Sequence, residues 1–128
     1  MNLESRALNI EVSGREGKET IKVVKIEGHV ESVEGKIDHY AKKCLRIHLN
    51  RETQKDGIAE LNFYGTSPVR GGDKIRVGLI LNENVIKYNA AGEALYMEII
   101  DERGHYSRRD FGDEYVMHVF NTELGLEP

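Results

Sequence analysis

The sequence predicts a mainly β domain that is built as a small five-stranded barrel. Apolar and polar residues alternate with a period of two in several short segments, and Gly-containing turns separate these segments. Residues 58–81 show the pattern best, because one alternating segment, a Gly-Gly-Asp corner and a second alternating segment follow one another. Such alternation turns one set of side chains into a core and the other set toward solvent or a ligand. A binding function would therefore lie on the outer face.

The composition is that of one globular domain. The chain has 128 residues, of which 39% are hydrophobic and 31% charged. A chain of this length buries roughly two thirds of its unfolded surface, so it needs neither disulfides nor a metal to fold. We expect a single domain over residues 1–128 with a barrel core at about 20–101. The flanking regions are then an N-terminal arm or additional strand, 1–19, and a C-terminal extension, 102–128.

The first elements are an arm and a long strand. Residues 8–12 alternate and are followed by a Gly-containing polar stretch, which predicts an additional strand or arm before the barrel. The first barrel strand is predicted at 20–33 and carries Gly28 in its middle. A glycine weakens a strand unless the strand bends there, and a small closed barrel requires that bend.

The next three strands have short connections. Residues 44–50 and 59–65 alternate and are joined through a polar run that ends in Asp-Gly, which is typical of an antiparallel hairpin. Pro68 and the corner at 71–73 then lead into the fourth strand, 74–81. The second, third and fourth strands are therefore predicted from alternation and turn chemistry together.

The fifth strand is predicted at 94–100. Its alternation predicts that Leu95, Met97 and Ile99 point into the barrel. Tyr96 and Glu98 are then exposed on the outer face. Residues 101–114 are charged, contain two glycines and lack periodicity, which predicts a loop. Residues 115–120 fit a sixth strand or one turn of a terminal helix, and we prefer the strand.

Five segments together resemble the strands of an oligonucleotide/oligosaccharide-binding (OB) fold. The segments are 23–30, 45–49, 59–65, 72–77 and 95–100. The resemblance is closest to single-strand-binding and replication protein A-like domains, whose V-x-G-x-V and Gly-Asp-x-hydrophobic-x-hydrophobic motifs are similar to residues 26–30 and 72–77. It covers about residues 20–101 and implies an all-β, five-stranded Greek-key barrel with short terminal extensions. The connection at 66–71 is too short for the helix that many such barrels carry there.

The resemblance implies a ligand face on the outside of the second and third strands, together with two flanking loops. The predicted contacts with nucleic acid are Tyr40, Lys42, Lys43, Arg46, His48, Asn62, Tyr64, Lys87 and Tyr88. Aromatic rings and guanidinium planes stack on bases, and cations neutralise phosphates. We therefore expect a non-catalytic protein that binds single-stranded DNA or RNA, as an accessory subunit of a larger assembly.

Two alternatives remain at this point. Exposed Tyr and Lys side chains are also ordinary features of a solvated surface. The formal net charge of −4 and the pI near 5.7 oppose a strong electrostatic attraction to nucleic acid. The rival interpretation is a protein-interaction barrel that uses its edge strands and charged C-terminal segment to assemble with a partner or with itself.

Other functional classes find little support in the sequence. No catalytic or phosphate-binding motif is present, and the five histidines lack metal-ligand spacing, so we expect no enzyme activity, cofactor or metal. Cys44 is alone in an apolar strand and is interpreted as a small core residue. The lone cysteine and the lack of a secretory signal or a membrane-length apolar run favour a cytoplasmic protein. The absence of Trp, a single Gln and abundant Lys and Glu suggest a thermophile.

Overall fold

The fold is mainly β, as predicted. A computed structural model describes residues 6–14, 17–38, 40–51, 58–82, 91–101 and 104–126. The strands are β1 Arg6–Gly14, β2 Gly17–Ile37, β3 Lys43–Leu49, β4 Glu60–Phe63, β5 Lys74–Asn82, β6 Gly92–Ile99 and β7 Tyr106–Arg108. The helix α1, Glu114–His118, continues into a π-helical turn, Val119–Glu123. Within the described ranges no helix is long and apolar enough to cross a bilayer.

Five strands close a ring in the order β2-β3-β4-β6-β5, with β5 pairing back to β2. All pairs in the ring are antiparallel except β4 with β6. The ring closes because β2 is 21 residues long and changes partner along its length, pairing with β5 over 21–29 and with β3 over 30–37. A register shift between Val30 and Ser32 marks this change. The predicted closed sheet of five strands is therefore present.

Buried aliphatic side chains fill the inside of the ring. They include Val24, Ile26, Val30, Ile47, Leu49, Leu61, Phe63, Ile75, Val77, Leu79, Met97 and Ile99. These residues have the parity that the alternation predicts for β2 to β5, since each strand places every second side chain on the same face. Cys44, at 5% exposure, is buried in β3.

A second core lies on the outer face of β2, β5 and β6. Its members come from these strands, from β1 and from the C-terminal segment, and are Ile10, Ile21, Val23, Ile80, Leu95, Tyr96, Val116, Val119, Phe120, Leu124 and Leu126. Of the two alternatives for the N-terminal segment, an arm or an additional strand, the structure has the strand: β1 pairs antiparallel with β2, from Arg6 opposite Lys25 to Gly14 opposite Gly17. Part of the outer face of the ring is therefore covered, which leaves the outside of β3 and β4 as the region to consider for binding.

Two predictions for β6 need correction. Leu95 was expected inside the ring but belongs to the outer core. It is the additional residue at a register shift, where Tyr96 lies opposite Gly78 and Ala94 lies opposite Leu79, and such a bulge interrupts strict alternation. Tyr96 is on the outer face as predicted, but it is 5% exposed rather than exposed because the C-terminal segment covers it.

The C-terminal predictions also need correction. Residues 101–114 contain β7, which pairs with β6, and residues 115–120 are helical rather than a strand. Asp113 begins the helix, because its Oδ1 accepts hydrogen bonds from the N–H groups of Tyr115 at 2.9 Å and Val116 at 3.2 Å. The buried side chains Val116, Val119 and Phe120 are spaced three and four apart, which suits one face of a helix.

Candidate binding surfaces

The outer face of β3 and β4 carries Arg46, His48 and Asn62, and Tyr64 follows directly after β4. Arg46 lies opposite Asn62, and His48 lies opposite Glu60. All four predicted side chains are partly buried rather than fully exposed. The structure therefore brings these four residues together, and their hydrogen-bond partners determine what they can bind.

The guanidinium of Arg46 is held by two neighbours on β4. Its Nη1 donates to Glu60 Oε2 at 2.8 Å, and its Nε donates to Asn62 Oδ1. Only 24% of the Arg46 side chain and 40% of the Glu60 side chain are exposed. A phosphate would have to compete with the Glu60 carboxylate for this cation, and the two anions would repel each other.

His48 lies between two carboxylates. Its Nε2 is 2.9 Å from Glu34 Oε1, and its Nδ1 is 3.9 Å from Glu60 Oε1. The hydrogen bond with His48 is the largest influence that lowers the pKa of Glu34, with a further contribution from Lys36. The surroundings of His48 are therefore acidic, which does not favour contact with a phosphate backbone.

Tyr64 is partly covered by a cation. Arg109 Cζ lies 5.2 Å from the centroid of the Tyr64 ring, and the Arg109 guanidinium also pairs with Glu93. Burial, together with the neighbouring Asp38, raises the pKa of Tyr64 to about 12. One face of this ring is therefore already occupied, so it is a restricted platform for base stacking.

A cavity of about 650 Å³ adjoins the same face. Arg46, Asn62 and Tyr64 form one part of its wall. The described lining residues also include four carboxylates but no second Lys or Arg; these carboxylates are Glu19, Asp38, Glu93 and Asp113. The cavity is therefore acidic, and an anionic chain would be repelled from it.

The end of the β2–β3 hairpin, residues 35–45, has a different character. Its turn is fixed by Asp38, whose Oδ1 accepts from the N–H groups of Tyr40 and Lys42, both at 2.9 Å. The side chains of Ile37 and Tyr40 are 67% and 72% exposed. The hairpin end therefore presents large apolar side chains on a backbone turn that is held in place.

A groove of about 570 Å³ runs beside the hairpin end. The described residues that line it are Gly35, Lys36, Ile37, Lys43, Cys44, Leu45, Gly65 and Thr66. Most of these contribute aliphatic or backbone surface, and the only charges among them are two lysines. Neither Ile37 nor this groove was among the binding features predicted from the sequence. The available signal was an aliphatic residue isolated between Lys36 and Asp38 in a polar connection.

The nine predicted contacts thus divide into three groups. Arg46, His48, Asn62 and Tyr64 share the outer face of β3 and β4. The exposed residues Tyr40, Lys42 and Lys43 lie at the hairpin end. Lys87 and Tyr88 lie outside the described residues.

A third group of charged side chains lies on the outer face of β5. On the outer face of β5, Arg76 donates to Glu27 at 2.8 Å and to Glu98 at 3.0 Å. Within the ranges that the structure describes, no group of three His, Cys, Asp or Glu residues could hold a metal ion.

A scan against protein-family models finds no match, and searches of curated proteins and of solved structures find none either.

Proposed function

We propose that this chain is a non-catalytic OB-fold domain that binds another protein through the end of its β2–β3 hairpin. The assignment to the OB fold is supported by the five-stranded ring. In this ring β4 and β6 are parallel neighbours although β5 lies between them in sequence. A simple up-and-down meander has no such pair, whereas a Greek-key barrel crosses over in this way.

The exposure of Ile37 and Tyr40 is the observation that carries the proposal. Ile37 lines the lysine-flanked groove, and Tyr40 belongs to the turn that Asp38 fixes at the tip of the hairpin. Large apolar side chains that are exposed together mark interaction sites, and aromatic residues are enriched in protein interfaces. A turn that is already ordered also loses little conformational entropy on binding.

Single-stranded DNA or RNA is the second candidate ligand. Tyr40 beside Lys42 and Lys43 supports it, because one ring and two cations could serve stacking and phosphate neutralisation. The charges on the predicted face oppose it, because Arg46 and His48 are already engaged by Glu60 and Glu34. Most non-specific affinity for nucleic acid comes from phosphate neutralisation. We therefore rank a protein ligand first.

A photo-crosslinking experiment tests this proposal. A photoreactive phenylalanine analogue at position 40 of the full chain, expressed in its own cells, should give one discrete protein adduct. The substitution Ile37→Ser should abolish that adduct. The same analogue at Tyr115, which is 55% exposed on α1, should not give it.

A binding measurement with nucleic acid completes the test. Fluorescence anisotropy with a labelled oligonucleotide of about 20 nucleotides should show no binding tighter than about 10 μM at low salt. If no adduct forms and the oligonucleotide binds in a way that depends on Tyr40, Lys42 and Lys43, the second candidate replaces the first.

A further inference from the structure

The strand β1 has one edge that no described residue pairs with. β1 pairs with β2 along its whole length, from Arg6 to Gly14, and the register of this pair has no shift. Among the described residues no strand lies on its other side, and no backbone hydrogen bond from a turn or loop reaches it. Residues 7–13 include neither lysine nor proline. β1 therefore lacks the features that usually keep an edge strand from pairing with another chain.

The backbone hydrogen bonds of β2 show which of its residues bond with β1. Val30 donates its N–H to the carbonyl of Asp73 at 2.8 Å, and its own carbonyl accepts from Gly72 N–H at 2.8 Å. Val30 thus turns both polar groups toward the β5 side. The direction alternates along a strand, and the register of β2 with β5 is continuous over 21–29. The even-numbered residues of this part of β2 therefore bond with β5, and the odd-numbered residues bond with β1.

The same alternation determines which residues of β1 face the free edge. Leu8 lies opposite Val23, and Ile10 lies opposite Ile21, so Leu8 and Ile10 bond with β2. The residues on either side of them turn their N–H and C=O groups to the free edge, namely Ala7, Asn9, Glu11 and Ser13. These four residues also have exposed side chains. The edge therefore offers a regular series of donors and acceptors to another strand.

The two faces of β1 differ in polarity. Ile10 is 7% exposed in the outer core, and Leu8 and Val12 are partly buried at the margin of that core. An additional strand beside β1 would cover the remaining surface of Leu8 and Val12. On the other face Glu11 is the one charged residue within 7–13. The added strand must therefore be apolar on one face and must not place a second carboxylate opposite Glu11.

A second copy of β1 meets both requirements. Antiparallel pairing about a two-fold axis at Ile10 uses the whole strand and matches the free polar groups of both copies. Leu8 then lies opposite Val12 of the second copy, and Asn9 lies opposite Glu11, where its amide can donate to the carboxylate. An axis at Glu11 would oppose two carboxylates, and an axis at Asn9 would shorten the overlap. The sequence of β1 therefore favours one register.

We infer that two copies of this chain associate by antiparallel pairing of their β1 strands about Ile10. The pairing joins the two sheets through backbone hydrogen bonds and joins the apolar faces of the two outer cores. This inference is independent of the proposed function, because β1 shares no residue with the hairpin end, 35–45. The pair would carry two hairpin ends, which would raise the avidity for a partner with repeated sites.

Sedimentation equilibrium of the full chain tests the association. Between about 10 and 500 μM the mass should rise from that of one chain, 14.5 kDa, toward twice that value. Asn9→Pro removes an N–H group from the free edge of each copy and should raise the dissociation constant by about tenfold or more. Asn9→Ala is the matched control, since it keeps this N–H; it should change the constant by less than about threefold.

Both variants should fold, because the N–H of Asn9 does not bond with β2. Their urea midpoints, measured at a concentration where the parent chain is monomeric, should lie close to that of the parent. A chain that stays monomeric up to about 500 μM would overturn the proposal. Equal dimerisation of Asn9→Pro and the parent would show that the copies associate elsewhere.

Added cysteines test the register. Residues 9 and 11 of the two copies form hydrogen-bonded pairs, whose Cα atoms lie about 5.5 Å apart, within the range for a disulfide. Under mild oxidation a mixture of Asn9→Cys and Glu11→Cys should give a linked dimer. Each variant alone should not, because equivalent residues are then offset along the strands. The parent chain is the control for Cys44, which is 5% exposed.

The crosslinking outcomes are distinct. A linked dimer from either variant alone would overturn the register at Ile10. A mixture that dimerises without linking would place the interface elsewhere and overturn the proposal. Neither result bears on the crosslink from position 40, which tests the proposed function separately.

Discussion

The ring of Phe120 occupies the space that a side chain at Gly78 would need. A Cβ at position 78 would lie 2.4 Å from Phe120 Cε1 and 2.4 Å from Leu126 Cδ1. Gly78 is on β5, and Phe120 and Leu126 belong to the C-terminal segment. This close approach packs the C-terminal segment directly on the ring. The C-terminal segment therefore contributes to the packing of the fold.

The substitution Gly78→Ala tests this contact. Overpacking a well-packed core typically costs about 1–3 kcal/mol, and we expect a loss of that size in the free energy of unfolding, measured with urea. Gly35→Ala is the matched control, since nothing lies within 4 Å of a Cβ at that position. It should change stability by less than about 1 kcal/mol. Equal effects at the two positions would contradict the proposed packing of Phe120.

The helix cap at Asp113 provides a second prediction. Asp113→Ala removes the acceptor for the N–H groups of Tyr115 and Val116 and should cost about 1 kcal/mol of stability. Glu114→Ala is the control, because it removes the same charge from the neighbouring exposed position without removing the cap. The measurement is the midpoint of urea unfolding. If both variants lose the same stability, the effect is one of charge and not of capping.

The sequence predicted most of the ring because every second residue in β2, β3 and β5 faces the same core. The prediction from alternation was wrong in two elements, the C-terminal segment and β6. The apolar residues at 115–120 fit either a strand or a helix. The helix forms because Asp113 caps its first turn and because the spacing of Val116, Val119 and Phe120 buries all three on one face. At Leu95 a bulge moved the side chain to the outer core, and no residue type predicts that bulge. Tyr96 was expected to be exposed because the packing of the C-terminal segment over it cannot be inferred from the alternation within one strand.

The candidate surfaces were harder to predict than the ring. Alternation correctly placed Arg46 and Asn62 side by side. It could not show that Glu60 would neutralise Arg46, because that pairing depends on the register between β3 and β4. Ile37 was missed because its exposure depends on how far the hairpin extends beyond β4. Such features depend on the arrangement of strands rather than on the pattern within one strand.

Two tyrosines predict a loss of stability at alkaline pH. Burial is the main cause that raises the pKa of Tyr64 and of Tyr96 to about 12, and the neighbouring Asp38 and Glu98 add to it. In the unfolded chain a tyrosine ionises near pH 10. The folded state therefore retains these protons at a pH where the unfolded state loses them. The stability that they contribute is fully present below about pH 10 and is lost as the pH rises to about 12.

The variant Tyr96→Phe tests this dependence. It removes the hydroxyl that donates to Glu98 at 2.8 Å but keeps the ring that stacks on Tyr106. Stability should fall less steeply with pH above about 10 than in the parent chain, and one late-titrating tyrosine should disappear from the absorbance at about 295 nm. Tyr64→Phe should reduce the slope in the same direction. An unchanged slope in both variants would contradict the burial argument.

The ion pair between Arg46 and Glu60 predicts that removing the carboxylate will increase the affinity of the chain for nucleic acid. Glu60→Gln keeps the shape of the side chain but removes the negative charge that opposes Arg46 Nη1 at 2.8 Å. A partly exposed pair is worth about 1 kcal/mol or less, so the variant should fold. With this cation released, the affinity for an oligonucleotide of about 20 nucleotides at low salt should rise by roughly threefold to tenfold, and added salt should reverse the gain.

The control for this last variant is Glu98→Gln, which removes the same charge from the ion pair with Arg76 on the outer face of β5. It should raise the affinity by less than about twofold, because Arg76 remains paired with Glu27 at 2.8 Å and its charge is not released. The double variant Glu60→Gln/Arg46→Gln should lose the gain, since it removes the released cation. An equal gain at Glu60 and Glu98 would show that only the net charge of the chain matters. The outer face of β3 and β4 would then have no particular capacity for nucleic acid, and the hairpin end would remain the binding surface to pursue.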